Sequence, residues 1–276
     1  MKSAFATCVR LGRSCIEEIL RLGGRLDLLI TLEDGQAKNK SGRIYLDDLS
    51  RLHGIPLLKI RNINDPAVIE ALREREIDWL MIIGWSQIAG PELLHTPALG
   101  CIGMHPTLLP EGRGRAAVPW AILKGLDRTG VTLFKLDEGV DTGDIIGQEV
   151  IALEKGVTAT ELYERVERAH ISLIDRFWRD IAEGSVRLHP QDHAAATVWP
   201  GRKPEDGKIT GGMTMEEADR MVRAVTHPYP GAFYQEGDQV LRIWSARVDS
   251  EKGRIRLRDG WLEPLDFTVE SGDLSR

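Results

Sequence analysis

Short apolar runs alternate with amphipathic segments along the first half of the chain, and this alternation limits the possible folds more than any other feature. Residues 4–9 and 26–32 are apolar runs of strand length, and residues 14–22 between them repeat apolar side chains at helical spacing. A strand, a helix and a second strand in this order predict a βαβ unit with parallel strands. Residues 79–84 are apolar throughout, which is typical of a strand in the buried middle of a parallel sheet. We therefore expect an α/β domain with a mostly parallel sheet.

The ends of these elements are predicted by capping residues and by changes in apolar spacing. Ser14 and Glu17 have the spacing of a capping box, which predicts that the first helix begins near Ser14. Asp65 followed by Pro66 predicts the start of another helix. Further strands are expected at residues 56–60, 99–104, 131–136 and 144–153, helices at 45–52, 65–75 and 158–183, and a polar loop at 33–42.

A stretch rich in proline, glycine and polar residues, 191–207, predicts a boundary between two domains. After it, the sequence predicts a short helix at 214–224 and several short strands between residues 232 and 265. The expected organisation is a large domain over residues 1–195, a linker over 196–206 and a small β-rich domain over 207–276.

Charge, cysteine content and glycine spacing exclude several classes of protein. The formal net charge of −6 gives no general attraction to polyanions. Cys8, Cys15 and Cys101 form no C-x-x-C pair, so neither a disulfide framework nor a zinc site is predicted. The first turn holds Gly12 without a G-x-G-x-x-G motif, which argues against NAD or FAD. Residues 4–9 are too short for a signal peptide and no apolar run approaches ~18 residues, so we expect a cytoplasmic protein without a membrane span.

Two polar residues follow apolar strands in positions suited to chemistry. His105 comes directly after the apolar run 99–104 and precedes a proline, which disfavours helix and indicates the end of a strand. Asp141 follows the apolar run 131–136 in a second, glycine-containing loop. If both loops leave neighbouring strands at the same edge, the imidazole and the carboxylate meet where open α/β sheets bind ligands. The pair predicts a cationic hydrogen-bond donor held in place by an anion.

Three motifs around these residues resemble the 10-formyltetrahydrofolate-dependent formyltransferases. They are HPTLLP at residues 105–110, RGR at 113–115 and GVDTGD at 139–144. The likeness extends to the linker and C-terminal domain of the branches that act on tRNA and on nucleotide sugars, through Gln191-Asp192, Thr197 and residues 202–209 and 223–232. It covers most of the chain and is closest to the nucleotide-sugar N-formyltransferases.

The resemblance implies a Rossmann-like domain that binds 10-formyltetrahydrofolate and passes its formyl group directly to an amine, without a metal. It makes His105 and Asp141 the catalytic residues: the imidazolium would stabilise the oxyanion, and the carboxylate would help to remove the amine proton. The alternative for His105 is a structural role at the end of a strand. The folate is expected against Ile83, Gly84, Trp85 and the loop residues Asp137, Glu138, Gly139 and Val140. Substrate contacts are expected from Arg10, Thr107 and Arg115. The guanidinium groups of the two arginines suit phosphate.

One position departs from the family pattern. The family has an asparagine two residues before the histidine, where it donates a second hydrogen bond to the oxyanion, and this chain has Gly103 there. Loss of one such donor typically lowers turnover by about 10²–10³-fold. We expect a backbone N–H, a water molecule or another side chain to supply the donor. The alternatives are a non-catalytic relative, or a glycine that makes room for a larger substrate.

The acceptor amine is expected to belong to an amino-sugar nucleotide. A tRNA-binding enzyme needs a basic surface, whereas residues 201–276 contain 12 Lys and Arg against 14 Asp and Glu. Methionyl-tRNA formyltransferase is the second choice, followed by a formyltetrahydrofolate hydrolase and a non-catalytic folate-binding relative. The C-terminal domain is expected to bind substrate, to form a homodimer contact or to buttress the catalytic domain.

Overall fold

A computed structural model describes residues 1–36 and 43–271. Residues 37–42 of the predicted polar loop and residues 272–276 lie outside the described residues. The strands are β1 (Ser3–Ala6), β2 (Leu28–Leu32), β3 (Leu57–Ile60), β4 (Trp79–Ile82), β5 (Gly100–His105), β6 (Arg113–Gly114), β7 (Arg128–Lys135), β8 (Ile145–Ala152), β9 (Val198–Trp199), β10 (Ala232–Glu236), β11 (Gln239–Asp249), β12 (Ile255–Arg256) and β13 (Trp261–Ser271). The helices are α1 (Arg10–Arg21), α2 (Asp47–His53), α3 (Pro66–Glu74), α4 (Pro91–His95), α5 (Ala117–Leu123), α6 (Ala159–Glu183) and α7 (Met215–Ala224).

Seven strands form the central sheet, in the order β3-β2-β1-β4-β5-β7-β8. The first five strands of the chain pair in parallel, which confirms the prediction of a mostly parallel α/β sheet. β4 lies in the middle, where Trp79, Leu80 and Met81 are buried, because helices cover both faces of such a sheet. β7 pairs with β5 in the antiparallel direction, and β8 lies at the edge.

The first helix begins one turn earlier than its capping pattern predicts. α1 starts at Arg10, with Val9 at the N-cap position. Ser14 therefore lies inside the helix, where its hydroxyl is 3.2 Å from the Arg10 carbonyl oxygen and 2.6 Å from a carboxylate oxygen of Glu167. The predicted capping box is wrong, because Glu17 pairs with Arg13 (Nε–Oε1 2.8 Å) instead of returning to the helix start.

The chain divides into two compact units. The first contains residues 1–113, 130–151 and 166–198, and the second contains 114–129, 152–165 and 199–276. In the second unit, β10, β11, β13 and β12 form an antiparallel sheet in that order, which confirms a β-rich C-terminal region. Thr214 and Glu217 cap α7 reciprocally, and α5 has no counterpart among the predicted elements.

Candidate active site

The structure brings His105 and Asp141 together in the first unit. His105 is the last residue of β5 and is buried, and its Nδ1 lies 3.6 Å from Asp141 Oδ2. Its Nε2 lies 2.8 Å from the carbonyl oxygen of Gly112. A carbonyl oxygen can only accept, so Nε2 carries a proton whether the ring is neutral or charged. The other ring nitrogen, Nδ1, faces the carboxylate.

The two loops that meet here leave the sheet at opposite ends, so the expectation of a shared edge is wrong. In the antiparallel pair of β5 and β7, His105 is level with Thr132 and Ile102 is level with Lys135. The chain after His105 continues from the carboxyl end of β5, whereas the chain after Lys135 leaves beside its amino end. Asp141 reaches the imidazole because its loop folds back over the sheet.

Short internal contacts shape the loop that presents Asp141. Asp137 Oδ1 accepts hydrogen bonds from the Gly139 amide (3.1 Å) and the Thr142 hydroxyl (2.6 Å). Asp141 has φ of 54°, a left-handed conformation that aspartate tolerates better than most residues. A Cβ at Gly143 would lie 1.8 Å from a backbone oxygen of β7, so only glycine fits there. The acidic and glycine residues of this motif thus build the loop.

A segment after α6 holds both halves of the pair. The side-chain amide of the buried Gln191 donates to the carbonyl oxygens of Asp141 (3.0 Å) and Gly143 (2.7 Å). The Thr197 hydroxyl oxygen accepts a hydrogen bond from the Gly112 amide (2.8 Å), and the Gly112 carbonyl in turn binds His105. We call residues 191–197 the brace. Its composition predicts only a domain boundary, and the family resemblance of Gln191 and Thr197 was the one signal for these positions.

A Gln191→Leu variant is expected to lose both stability and turnover. Gln191 Oε1 accepts hydrogen bonds from Nη2 (2.7 Å) and Nε (3.2 Å) of the buried Arg113. The change therefore removes the Gln191 acceptor from these two donors of a buried cation. We expect the free energy of unfolding to fall by about 1.5–3 kcal/mol. We also expect kcat to fall by up to about 10²-fold, the effect of a shift of about 1 Å in a catalytic group. Urea unfolding and steady-state kinetics measure the two changes.

The matched control for this variant is His193→Leu. His193 Nδ1 lies 3.0 Å from Arg113 Nη2, so its loss touches the same cation but leaves both Gln191 contacts with the Asp141 loop. This variant should keep the wild-type kcat. An unchanged kcat in Gln191→Leu would contradict the brace.

The residues predicted to contact folate lie directly after β4 and on the Asp141 loop. Ile83 is buried, and Gly84 has φ of 68°, so the chain turns directly after the strand. Trp85 packs against the apolar cluster beside the sheet. On the loop, Glu138 and Val140 are exposed.

The three residues predicted to contact substrate have different surroundings. Arg10 is exposed, and its Nε lies 3.1 Å from Glu167 Oε1. Thr107 is buried, and its hydroxyl has no hydrogen-bond partner among residues 1–36 and 43–271. Arg115 is exposed and belongs to the second unit.

An apolar side chain occupies the position where the expected asparagine would lie. Positions 103 and 105 lie on the same face of β5, since alternate residues of a strand share a face. A Cβ at Gly103 would lie 2.7 Å from Leu136 Cδ2. Leu136 therefore crowds the space that an amide side chain would need and has to turn aside to admit one.

A second histidine, His170 on α6, lies near His105 and was not assigned to the site from sequence. It is buried, and its Nδ1 lies 2.8 Å from the Val166 carbonyl oxygen. Burial lowers the pKa of His170 to about 4, an effect that charge repulsion by His105 reinforces and that Val166 and Glu167 oppose. His170 is thus a neutral residue beside the site.

The low pKa of His170 predicts a loss of stability in acid. The unfolded chain binds this proton at about pH 6.5, whereas the folded protein binds it at about pH 4. Its contribution is complete above pH 6.5 and is lost as the pH falls towards 4, by up to about 3 kcal/mol. Urea unfolding at steps between pH 7 and 4 should show this slope in the wild type. The slope should be smaller in His170→Leu, and identical slopes in the two proteins would disprove the assignment.

Cys101 lies on β5, four residues before His105. Cys101 is buried, and burial raises the pKa of its thiol to about 12, so it is not a nucleophile.

In the described parts of the chain, no group of three or more His, Cys, Asp or Glu side chains is placed to hold a metal ion. Over the same residues, no helix has the length and apolar character needed to cross a membrane.

Comparison with known families decides what kind of protein carries this site. Residues 33–176 match the model of the formyl transferase family, and residues 202–261 match that of the formyl transferase C-terminal domain. The chain belongs to the formyl transferase family. Both matches agree with the resemblance seen in the sequence motifs, and the family makes the protein a formyltransferase.

Individual relatives extend the comparison over nearly the whole chain. A methionyl-tRNA formyltransferase from Clostridioides difficile is 29% identical over 255 residues, which cover 91% of this chain and 82% of that protein. An N-formyltransferase from Helicobacter canadensis, solved with folinic acid and dTDP-3-aminofucose, has a TM-score of 0.73 at 17% identity and covers 99% of both chains. A sugar N-formyltransferase from Shewanella has a TM-score of 0.71 at 19% identity, with 92% of this chain and 99% of that chain covered. The two structures share the fold of this family member.

Proposed function

We propose that this formyltransferase moves the formyl group of 10-formyltetrahydrofolate to the amine of an amino-sugar nucleotide. The observation that carries the proposal is the His105–Asp141 pair, with Nδ1 and Oδ2 3.6 Å apart, in a chain of the formyl transferase family. The folate donor is supported by the folinic acid in the similar structure from Helicobacter canadensis.

The site residues have separate roles in the proposed reaction. The acceptor nitrogen attacks the formyl carbon, negative charge develops on the formyl oxygen, and the bond from that carbon to the folate nitrogen then breaks. Charged His105 donates its Nδ1–H to the oxyanion, because Nε2–H is bound to Gly112. Asp141 holds the imidazolium and accepts the proton that the amine loses, directly or through water, and the folate nitrogen takes up a proton as it leaves. The folate lies against residues 83–85 and the loop 137–140.

The sugar nucleotide is preferred as acceptor because of the charge of the chain. The net charge is −6, and the acidic excess continues through residues 201–276, which disfavours tRNA. The Shewanella and Helicobacter canadensis proteins have the same fold over at least nine-tenths of this chain. Methionyl-tRNA formyltransferase is the second candidate, because the relative from Clostridioides difficile is 29% identical over 91% of the chain.

A panel of acceptors distinguishes these functions. The protein is incubated with 10-formyltetrahydrofolate and one acceptor, which is a dTDP-, UDP- or GDP-linked amino sugar or methionyl-tRNA. The masses of the products are measured by mass spectrometry. We expect one amino-sugar nucleotide to gain the mass of one formyl group. Transfer to methionyl-tRNA alone would favour the second candidate. Folate consumption without any amine would indicate a hydrolase, and folate binding with no turnover would indicate a non-catalytic relative.

The apolar surroundings of Gly103 predict the outcome of restoring the asparagine. Gly103→Asn alone should not raise kcat, because Leu136 Cδ2 would lie 2.7 Å from the new Cβ and displace the amide. The double variant Gly103→Asn/Leu136→Ala should raise kcat by up to about 10²-fold, as a second oxyanion donor does. Leu136→Ala alone is the control and should not exceed the wild type. No gain in the double variant would mean that another group already supplies the donor.

A further inference from the structure

The second unit contains a half-buried cation, Arg202, that is not neutralised by a carboxylate in its described contacts. Its guanidinium lies over the Trp120 ring, 5.1 Å from the centroid. Its Nη2 donates to the carbonyl oxygen of Asp206 (2.6 Å) and lies 3.5 Å from Met221 Sδ. The Asp206 carboxylate instead accepts a hydrogen bond from the Lys203 backbone amide (2.7 Å). Burial lowers the pKa of Arg202, and the charge of Asp206 offsets only part of this effect.

Two further cations, Lys124 and Arg115, lie in the same part of the second unit. Lys124 Nζ lies 5.7 Å from the centre of the Trp120 ring and 5.9 Å from that of Trp199. The exposed Arg115 packs over Gly201, where an added Cβ would lie 3.4 Å from its side chain. Two acids, Glu205 and Asp206, follow in the next turn. The cations of this part of the second unit outnumber these two acids and give it a positive potential, which favours an anion. They are Arg115, Lys124, Arg202 and Lys203.

A cavity of about 140 Å³ opens next to Arg202 and Lys203. Its other walls include apolar surfaces of Pro119, Val225 and Tyr229. Burial raises the pKa of Tyr229, and its hydroxyl bonds to another tyrosine in the same unit, so it contributes ring surface and no charge. A cavity of about 150 Å³ holds benzene, so this one is close in size to a six-membered ring.

We propose that this cavity, the Arg202 pocket, binds a phosphorylated compound that carries a flat ring close to its phosphate. The ring would lie between Pro119, Val225 and Tyr229, and the phosphate would take the remaining guanidinium donors of Arg202 and the Lys203 ammonium. A guanidinium fork with a neighbouring ammonium suits a doubly charged phosphate better than a single carboxylate. The site consists of residues of the second unit alone and does not depend on the proposed function.

Calorimetric titration of the full chain with phenyl phosphate tests the pocket, with inorganic phosphate and phenol as the two halves of the probe. We expect phenyl phosphate to bind at least about tenfold more tightly than either half, because ring and phosphate are held together. Arg202→Gln should weaken binding by about tenfold or more, the effect of losing one charge-assisted hydrogen bond. Arg247→Gln removes an exposed cation from β11 of the same unit and should change nothing.

Two further variants keep the test decisive if Arg202→Gln unfolds. Lys203→Gln should weaken phenyl phosphate and inorganic phosphate alike, whereas Val225→Phe should fill the cavity and weaken phenyl phosphate only. The proposal fails if phenyl phosphate binds no more tightly than inorganic phosphate, or if both variants bind like the wild type. Formyl transfer to an amino-sugar nucleotide without binding of phenyl phosphate would overturn the pocket and leave the proposed function intact. Binding without transfer to any acceptor would do the reverse.

Discussion

Replacement of His105 by alanine is expected to lower kcat/KM for formyl transfer by about 10³-fold or more. The variant loses the donor to the oxyanion and the partner of Asp141 together, and each kind of effect typically contributes about 10²–10⁴-fold. The fold should persist, because β5 keeps its ladder to β4 and β7. Formyl transfer to the preferred acceptor, with circular dichroism as a check on folding, measures the effect.

Two amide variants of His105 separate its nitrogens. The asparagine side-chain nitrogen lies near the position of histidine Nδ1, so His105→Asn should keep a neutral donor at the reaction centre and exceed the alanine variant. The glutamine nitrogen lies near the position of Nε2, so His105→Gln should keep only the bond to Gly112. His53→Ala, an exposed histidine of α2, is the control. Wild-type activity in His105→Ala, or greater activity in the glutamine than in the asparagine variant, would disprove the proposed role.

Asp141→Asn should lower kcat by about 10²–10⁴-fold with little change in KM for the folate. An amide neither accepts the amine proton nor balances the charge of the imidazolium. The substitution is conservative for the backbone, because asparagine also tolerates the left-handed conformation at φ of 54° and the Asp141 carbonyl can still bind Gln191. A lost rate can therefore be assigned to the carboxylate itself.

The control for this variant is Asp180→Asn, which neutralises an exposed carboxylate on α6. It should have the wild-type kcat. Single-turnover measurement of formyl transfer at saturating folate separates the chemical step from binding. A normal single-turnover rate in Asp141→Asn would rule out its role in proton removal.

The sequence predicted the strands better than their directions. Apolar runs identified the buried β4 and the strand β8, because the burial of a strand leaves a pattern of apolar residues in its sequence. The apolar run 131–136 carries no information about strand direction, however, so its antiparallel pairing with β5 could not be predicted. For this reason, the nearness of His105 and Asp141 was expected from sequence, but the route by which their loops meet was not.

Contacts between distant segments explain the other differences. Ser14 has a local capping pattern, but its hydroxyl lies near Glu167 on α6, and no local pattern contains that partner. Gln191 and Thr197 sit in a polar stretch whose composition resembles a linker, although their side chains bind loops about 50 and 85 positions earlier. The packing of Leu136 against Gly103 likewise depends on strand register, which spacing alone does not supply.

The position of the brace in the sequence determines when the site can be completed during synthesis. During synthesis, every strand of the central sheet has been made once residue 152 has emerged, so the sheet can form while the brace is still missing. Gln191 and Thr197 arrive some forty residues later, and only then do the Asp141 loop and the Gly112 carbonyl have their anchors. A nascent chain that has already formed its central sheet would thus remain inactive until the brace has been synthesised.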